Sequence, residues 1–520
     1  MSKIKKAENQ INFPKLEDKI NKFWKENQIF EKSVENRSLS NSFRFLDGPP
    51  FPSGMPHYGH LCWSVGKDVI PRYQTMKGKR VRRVWGWDCH GIAVESKVNK
   101  ELGISTRKEI EEYGIENYVK KCREYVEKQI ANWGWYIEKI GRWVDLENAY
   151  YTMYPEYHES VMWAFKQIWD KGYVYKGKRV SLYSVETCTP VSDFEVAEAN
   201  DYRDVEDLSV FVKFKLKDTS RFENANEVFI LAWTTTPWTL PSNFALAVNP
   251  EADYVLVEFE NENYILAKSR LEYTFATTIE NIGTESDKLV KIIKEFKGSM
   301  LEGLEYEPVY DYFVDKKKDT DWKVYLYDGV TTEDGTGVLH VAPAFGEEDF
   351  NLGKKFGLSD FSDIDEEGKM TVEIANGIYL RDASPIIAED LTKAGKLFRS
   401  EMYVHRLPFY RGNEPLIYLA QDQYFIDIQS IKDRMLKLNE DINWIPENVK
   451  TRRFPAVINS APDWAVSRNR YWATIMPVWR SEDGEELVVG TFEEMAKYTR
   501  QIIKSTKNGK TTYYLIKDIS

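Results

Sequence analysis

Between residues 43 and 87 the chain changes its hydrophobic period twice, and that change limits what it can fold into. "FRFL" reads as a short strand and ends at Asp47-Gly48-Pro49-Pro50, where turn chemistry takes over. After the proline- and glycine-rich stretch, Leu61, Val65, Val69 and Tyr73 recur every four residues. A helix is therefore expected to start near Pro56–His60, with Pro71 a candidate kink. "VRRVWGW" then reads as a second strand. Such a β-loop-α-β unit puts its loop beyond the carboxyl end of the first strand, where open α/β sheets bind ligands.

Two of the chain's six histidines, His57 and His60, stand at that helix start. Unpaired backbone N–H groups and the helix dipole favour an anion there. Imidazole N–H groups could donate to phosphate oxygens as charge builds in a transition state, so nucleotide binding is the natural reading. G-x-x-x-x-G-K-[ST] is absent, which excludes a P-loop. Two other readings stay open. His57, His60, Cys62, Cys89 and His90 could supply zinc ligands for a hydrolase, although neither H-E-x-x-H nor a closed Cys/His set accompanies them. The histidines could also be purely structural. Asp88 follows the second strand and should face the same crevice, where a carboxylate suits an ammonium group.

At 520 residues, two or three domains are expected. Leu16, Ile20, Phe23 and Trp24 give residues 14–30 a helical period, and 104–180 read as helical. Near Ser181 the texture changes to β-rich runs, "EVFILAWTTTPWTL", "FALAVNP", "DYVLVEF" and "ENYILA", with strands recurring to about residue 345. This predicts a β domain inserted into an α/β chain, with "HRLPFYRGNEPLIY" marking the return. The expected layout is an N-terminal helical extension over 1–40, half of a catalytic domain over 41–185, the insert over 186–404 and a return limb over 405–520. Taken alone, Thr234, Thr235 and Thr236 read as a strand whose hydroxyls alternate in face.

The net charge of −11 argues against general coating of nucleic acid. The basic run "KGKRVRR", Lys77 to Arg83, reads by itself as a solvated loop. No apolar run approaches the ~20 residues of a membrane span, and "MSKIKKAENQ" carries no apolar signal segment. Cys62, Cys89, Cys122 and Cys188 are too scattered for a disulfide framework. A cytoplasmic protein with free thiols, no disulfide partner and no membrane partner is expected.

Together, "GPPFPSGMPHYGH" and "GWDCHGIAVE" resemble the class I aminoacyl-tRNA synthetases with a HIGH signature. The likeness is greatest to the isoleucyl-tRNA synthetases, particularly their eukaryotic-like branch. Valyl relatives typically carry Asp-His-Ala-Gly where this chain has Asp88-Cys89-His90-Gly91, and leucyl relatives carry a Pro-Tyr-Pro-Ser-Gly entrance. The resemblance implies an α/β, HIGH-type Rossmann nucleotide-binding fold with an inserted β-barrel-like editing domain. It implies ATP-dependent activation of isoleucine and its transfer to tRNA(Ile). ATP with Mg²⁺ enters as substrate, with no tightly bound metal. Gly48 and Pro49 would line the amino-acid site, Asp88 bind the ammonium, His57 and His60 face ATP, and Trp464 touch the isoleucine side chain.

"AWTTTPWTLPSN" and "GTGVLHVAPAFGEEDF" resemble the editing domain of the same family. By that resemblance Thr234, Thr235 and Thr236 line a hydrolytic pocket and Asn243 supports it, while His340 limits side-chain size and Asp349 holds the substrate's α-amino group. The need for such a pocket is physical. One missing methylene gives only about 1–3 kcal/mol of discrimination, a limit for which isoleucyl-tRNA synthetase is itself the usual example. Hydrolysis by a positioned water is expected.

The family is longer than this chain. A Gly-x-Asp-Gln-x-Arg-Gly-Trp-Phe type segment, a Lys-Met-Ser-Lys-Ser type loop and an anticodon-binding domain are not found after "DWAVSRNRYW". "AQDQYF" and "KSTKNGK" do not replace them. Ala473 and Ile475 stand where the family has a glycine and a proline. The expectation is therefore the N-terminal part of the enzyme, with the second half of its nucleotide fold incomplete and no synthesis by this chain alone. Two rivals remain: a stand-alone deacylase that clears valine from tRNA, and a catalytically silent tRNA-binding or interaction protein.

Overall fold

The computed structural model describes residues 10–104, 106–222, 227–276, 290–410 and 412–499, and the backbone of 502–507 and 510–515. Residues 1–9, read for an export signal, and the side chains of the lysine-rich run 504–510 lie outside the described residues. The chain divides into two compact units, Met1–Tyr175 with Ile426–Ser520, and Lys176–Phe425.

The first unit opens with helix α1 (Phe13–Glu26), where the Asn12 side chain accepts from the Lys15 N–H at 3.1 Å as an N-cap. Helix α2 (Tyr58–Met76) runs through Pro71, strand β1 (Val84–Trp87) follows, and helices α3 (Ile92–Leu102) and α4 (Ile115–Ala131) come next. Strand β2 (Asp145–Tyr151) lies parallel to β1, pairing Val84 with Asp145 and Trp87 with Tyr151, and helix α5 (Pro155–Trp169) follows it. The two strands approach closely at Gly86, where a Cβ would lie 2.2 Å from the Tyr150 ring. Trp85, Trp87, Tyr118, Cys122, Trp133 and Trp472 are buried in one aromatic-rich core.

Three expectations change here. "FRFL" is extended but forms no ladder: Ser42 makes a single parallel bridge to Arg80, and the Phe43 N–H donates to the Arg80 carbonyl at 2.9 Å. The helical run expected over 104–180 is broken by β2, because Gly141 turns the chain at φ +62° and the segment after it finds a ladder partner in β1, and it ends at Trp169, before a strand over Val174–Ser184. The basic run is not wholly solvated either. Arg83 is buried, donating to the Thr75 hydroxyl at 2.5 Å and lying against Phe30 and Trp143, and burial pushes its guanidinium down to about 10.

The second unit is built on strands β3 (Asp201–Lys215), β4 (Val228–Thr234), β5 (Ala245–Val248), β6 (Asp253–Phe259), β7 (Glu262–Ala267), β8 (Lys291–Lys297), β9 (Lys323–Leu326) and β10 (Val338–Val341). Helices α6 (Glu347–Phe356) and α7 (Leu380–Lys393) and strand β11 (Leu397–Phe409) follow. Six strands form a sheet in the order β8-β6-β7-β4-β3-β11, and three form another in the order β9-β5-β10. No sheet closes on itself among the described residues, where a barrel-like insert was expected. The edge strand β8 reads "KIIKEFK" with its charged residues exposed, a composition that blunts an edge instead of pairing it.

The three threonines do not alternate along one strand. β4 ends at Thr234, and Pro237 and Pro241 enforce a 3₁₀ turn over Pro237–Ser242, because proline has no N–H for a ladder. The loop before β10 packs tightly against β7 through Gly337, at φ +73° with room for no side chain: a Cβ would lie 2.3 Å from that of Ala267. Gly337→Ala should therefore destabilise this unit by more than about 1 kcal/mol, read as a lower urea midpoint at unchanged slope. A midpoint equal to the parent's would show that the loop relaxes freely.

Candidate functional site

In the first unit, the Pro/Gly loop is held at several backbone points. The Asp47 carboxylate pairs with Lys67 at 2.6 Å and with the buried Arg142, and the Lys67 ammonium also donates to the Gly48 carbonyl at 2.8 Å. The Tyr125 hydroxyl donates to the Ser53 carbonyl at 3.0 Å, and the Trp133 indole donates to the Gly54 carbonyl at 2.8 Å. The Asp88 N–H donates to the Pro50 carbonyl at 3.0 Å, so the loop and the end of β1 are joined. Gly48, Pro49 and Asp88 thus belong to one neighbourhood. Burial pushes the Asp88 carboxyl up, and the His90 N–H partly offsets this.

His57 is the N-cap of α2, and its Nδ1 accepts from the Gly59 N–H at 3.1 Å. His60 Nδ1 accepts from the His57 N–H at 3.2 Å. The rings lie 3.9 Å apart between centroids, and His60 also packs edge-on against Trp133 at 4.7 Å. An accepting Nδ1 puts the proton of each neutral ring on Nε2. The rings therefore take up backbone N–H groups of the helix start and offer Nε2–H donors in their place. Burial, with His57 adding to it, lowers the pKa of His60 and favours this neutral form.

The zinc reading finds no common ligand set in these residues. Cys62 is exposed, the Cys89 thiol donates to the Trp87 carbonyl at 3.3 Å, and His90 lies against Thr152, His158 and Trp472. Among the described residues no group of three or more His, Cys, Asp or Glu could hold a metal ion. Trp464 is 62% exposed, and no hydrogen bond or ring contact among the described residues joins it to Gly48, Pro49 or Asp88.

The second unit has a cavity of about 310 Å³ lined by Thr234, Thr235, Thr236, Thr239, His340 and Asp349, near the lower end of small-molecule sites at ~300–1,000 Å³. Asn243 stands behind it, its Nδ2 2.7 Å from His340 Nδ1. Asp349, in the first turn of α6, accepts from the Ala342 N–H at 2.9 Å. Burial pushes its carboxyl up to about 7 and the His340 imidazole down to about 4. Both groups are thereby pushed toward their uncharged forms. Both His340 nitrogens are taken up, by Asn243 and Thr239, while Asp349 lines the cavity with its carboxyl.

A family model described as tRNA synthetases class I (I, L, M and V) matches residues 19–519. The chain belongs to the class I tRNA synthetases. It is 42% identical over 516 residues to an isoleucine–tRNA ligase of Treponema denticola, covering 94% of this chain and 46% of that one. The corresponding ligase of Protochlamydia amoebophila is 42% identical over 518 residues, covering 96% and 48%. The chain thus spans about half the length of the curated relatives it matches. Among solved structures, a LeuRS–tRNA–LeuAMS complex from Agrobacterium radiobacter K84 covers 95% of this chain and 56% of that one, at 15% identity and a TM-score of 0.35.

Several synthetase residues around these sites carried no readable signal. Glu95 accepts the N–H groups of Tyr471 and Trp472 at 3.1 and 2.8 Å, and Trp472 donates its indole N–H to the Cys89 carbonyl at 2.6 Å. Thr239 and Tyr306 complete the hydrogen bonds of the cavity. Only Thr239, inside the quoted threonine run, could have been suspected. No helix among the described residues is long and apolar enough to cross a membrane, and the four cysteines are free.

Asp47 supports the synthetase loop through a pair whose arginine is 5% exposed in its side chain. Truncation would leave that charge buried and alone, which typically costs about 3–5 kcal/mol. Asp47→Ala should lower the urea midpoint of the unit containing the loop, whereas a stability loss under ~1 kcal/mol would place Arg142 in water instead.

Proposed function

We propose that this chain carries the amino-acid-activating loop and the proofreading cavity of an isoleucine–tRNA ligase, with isoleucine, ATP with its Mg²⁺ and tRNA(Ile) as substrates. The observation that carries this reading is the convergence of Thr234, Thr235, Thr236, His340 and Asp349 on one cavity, in a unit separate from the one holding His57, His60 and Asp88. Two sites of different chemistry on one chain suit an enzyme that both makes and clears an aminoacyl ester. The parallel strand pair β1–β2 is read as part of a HIGH-type Rossmann sheet, the second unit as its editing insert and the protein as cytoplasmic.

In activation, the isoleucine carboxylate attacks the α-phosphate of ATP and pyrophosphate leaves. The Nε2–H groups of His57 and His60 would donate to phosphate oxygens as negative charge develops, the type of interaction that lowers a barrier because it strengthens in the transition state. Asp88 would hold the ammonium, with Gly48 and Pro49 letting the amino acid approach the backbone. The tRNA terminal ribose hydroxyl then takes the acyl group.

In proofreading, Asp349 would bind the ammonium of a misplaced valine, and His340 with the threonines would exclude the larger isoleucine. A water attacks the ester carbonyl carbon, the bond to the ribose oxygen breaks, and that oxygen leaves with a proton. The test follows release of valine from pre-charged Val-tRNA(Ile) at low salt, with Ile-tRNA(Ile) as control. The chain should release valine and spare isoleucine, and Asp349→Ala should abolish the reaction. Equal rates on both esters, or full activity in Asp349→Ala, would remove the cavity from this role.

The pH dependence has a definite sign. Only ionised Asp349 binds an ammonium, so kcat/KM, which reports the free enzyme, should rise with pH through about 7 and level off above it. In folding the sign is opposite. A carboxyl raised from 3.8 stabilises the fold fully below that pH, and the contribution is lost as pH rises through about 7. Asp349→Asn should flatten this stability slope in urea titrations at pH 4 and pH 8. A slope identical to the parent's would mean that the carboxyl is solvated.

A further inference from the structure

The polar atoms behind the cavity form one continuous chain whose hydrogen-bond directions are fixed by valence. Asn243 Nδ2 lies 3.0 Å from the Ala245 carbonyl, which only accepts, so the amide orientation is set. Its oxygen must then face Tyr306, a fully buried residue whose hydroxyl donates to Asn243 Oδ1 at 2.6 Å. The second Nδ2 proton points to His340 Nδ1 at 2.7 Å, which must therefore be a lone pair. A neutral His340 carries its proton on Nε2 and donates to Thr239 Oγ1 at 3.0 Å.

The threonines complete the sequence. Thr239 spends its one hydroxyl proton on the Thr236 carbonyl at 2.9 Å. The 3.3 Å contact between Thr239 and Thr236 hydroxyls then has Thr236 as donor. That leaves Thr234 as donor in its 3.1 Å contact with Thr236, while the Thr236 N–H donates to Thr234 Oγ1 at 3.1 Å. Every hydroxyl proton of Thr234 and Thr236 is used internally.

We infer that Tyr306 is a positioning residue for the cavity: together with the Ala245 carbonyl it holds the Asn243 amide, which sets the His340 tautomer and leaves the Thr239 proton to the Thr236 carbonyl, in a network where Thr234 and Thr236 are hydrogen-bond acceptors toward whatever enters. The inference rests on the proofreading reading above and adds its polarity. Acceptor-only threonines bind the O–H groups of a water and turn its oxygen lone pair outward, toward an ester carbonyl. They also accept from an ammonium. They offer no donor to the oxyanion formed during hydrolysis, so its stabilisation falls to other groups. His340, with both nitrogens committed, sets geometry and takes no proton from the water.

The test uses the whole chain with ¹⁵N-labelled histidine, and reads ring-nitrogen shifts of His340 together with Val-tRNA(Ile) deacylation. The parent should show His340 protonated at Nε2. Tyr306→Phe leaves the Asn243 oxygen unpartnered. It should mix the His340 tautomers and lower kcat about 10- to 100-fold with KM within about twofold, the effect of one unsatisfied buried polar group. If Tyr306→Phe does not fold, Thr239→Val and Thr239→Ser replace it: valine should disturb the His340 signal and lower kcat, and serine should restore both. An Nδ1-protonated parent, or wild-type kcat and tautomer in both Tyr306→Phe and Thr239→Val, would overturn the inference. A chain that hydrolyses no ester but holds the expected tautomer would refute the proofreading role and leave the polarity intact.

Discussion

The carboxylate of Glu95 ties together two stretches of the first unit that lie far apart in sequence. A long insert separates the segment around Asp88 from the segment around Trp472, yet both must form one structure. Glu95 accepts two consecutive backbone N–H groups from the returning segment, at 3.1 and 2.8 Å. Burial pushes its carboxyl up while the two N–H groups and Arg470 act in the opposite direction. Hydrogen bonds to an ionised acceptor are roughly twice as strong as neutral ones, so one side chain can hold an irregular segment with no ladder of its own. Trp472, 3% exposed, then caps His90 and the Cys89 carbonyl, fixing the backbone from which Asp88 projects.

The cavity of the second unit follows a different electrostatic logic. His340 and Asp349 are both pushed by burial toward their neutral forms. An uncharged cavity avoids the cost of a buried unpaired ion while empty. A cation placed beside Asp349 would reverse the balance there, because a nearby opposite charge favours ionisation. His340 undergoes no such change, since its nitrogens face Asn243 and Thr239.

Much of the fold was legible, with informative exceptions. Helix α2 was visible because Leu61, Val65, Val69 and Tyr73 recur at its period, and β6 and β7 because their apolar runs are bounded by turn residues. β2 was hidden: "DLENAYY" has no two-residue alternation, and its strand state comes from pairing with β1. "FRFL" failed in the opposite direction, having strand composition but only a single bridge. Glu95 looked like any charged residue of an amphipathic helix. Tyr306 looked like one of 31 tyrosines.

By itself the sequence determined the family, the helix start behind the Pro/Gly loop and the two short stretches whose side chains meet in the cavity, because motif spacing and hydrophobic period are local properties of a chain. The tertiary structure alone decided which groups hold the loop, what the ring nitrogens of His57, His60 and His340 meet, and how the threonine hydroxyls are linked. The physical reason is that a hydrogen bond's direction belongs to a pair of atoms. Here the pairs join residues as distant as Asn243 and Tyr306, or Glu95 and Trp472, whose separation no local pattern encodes.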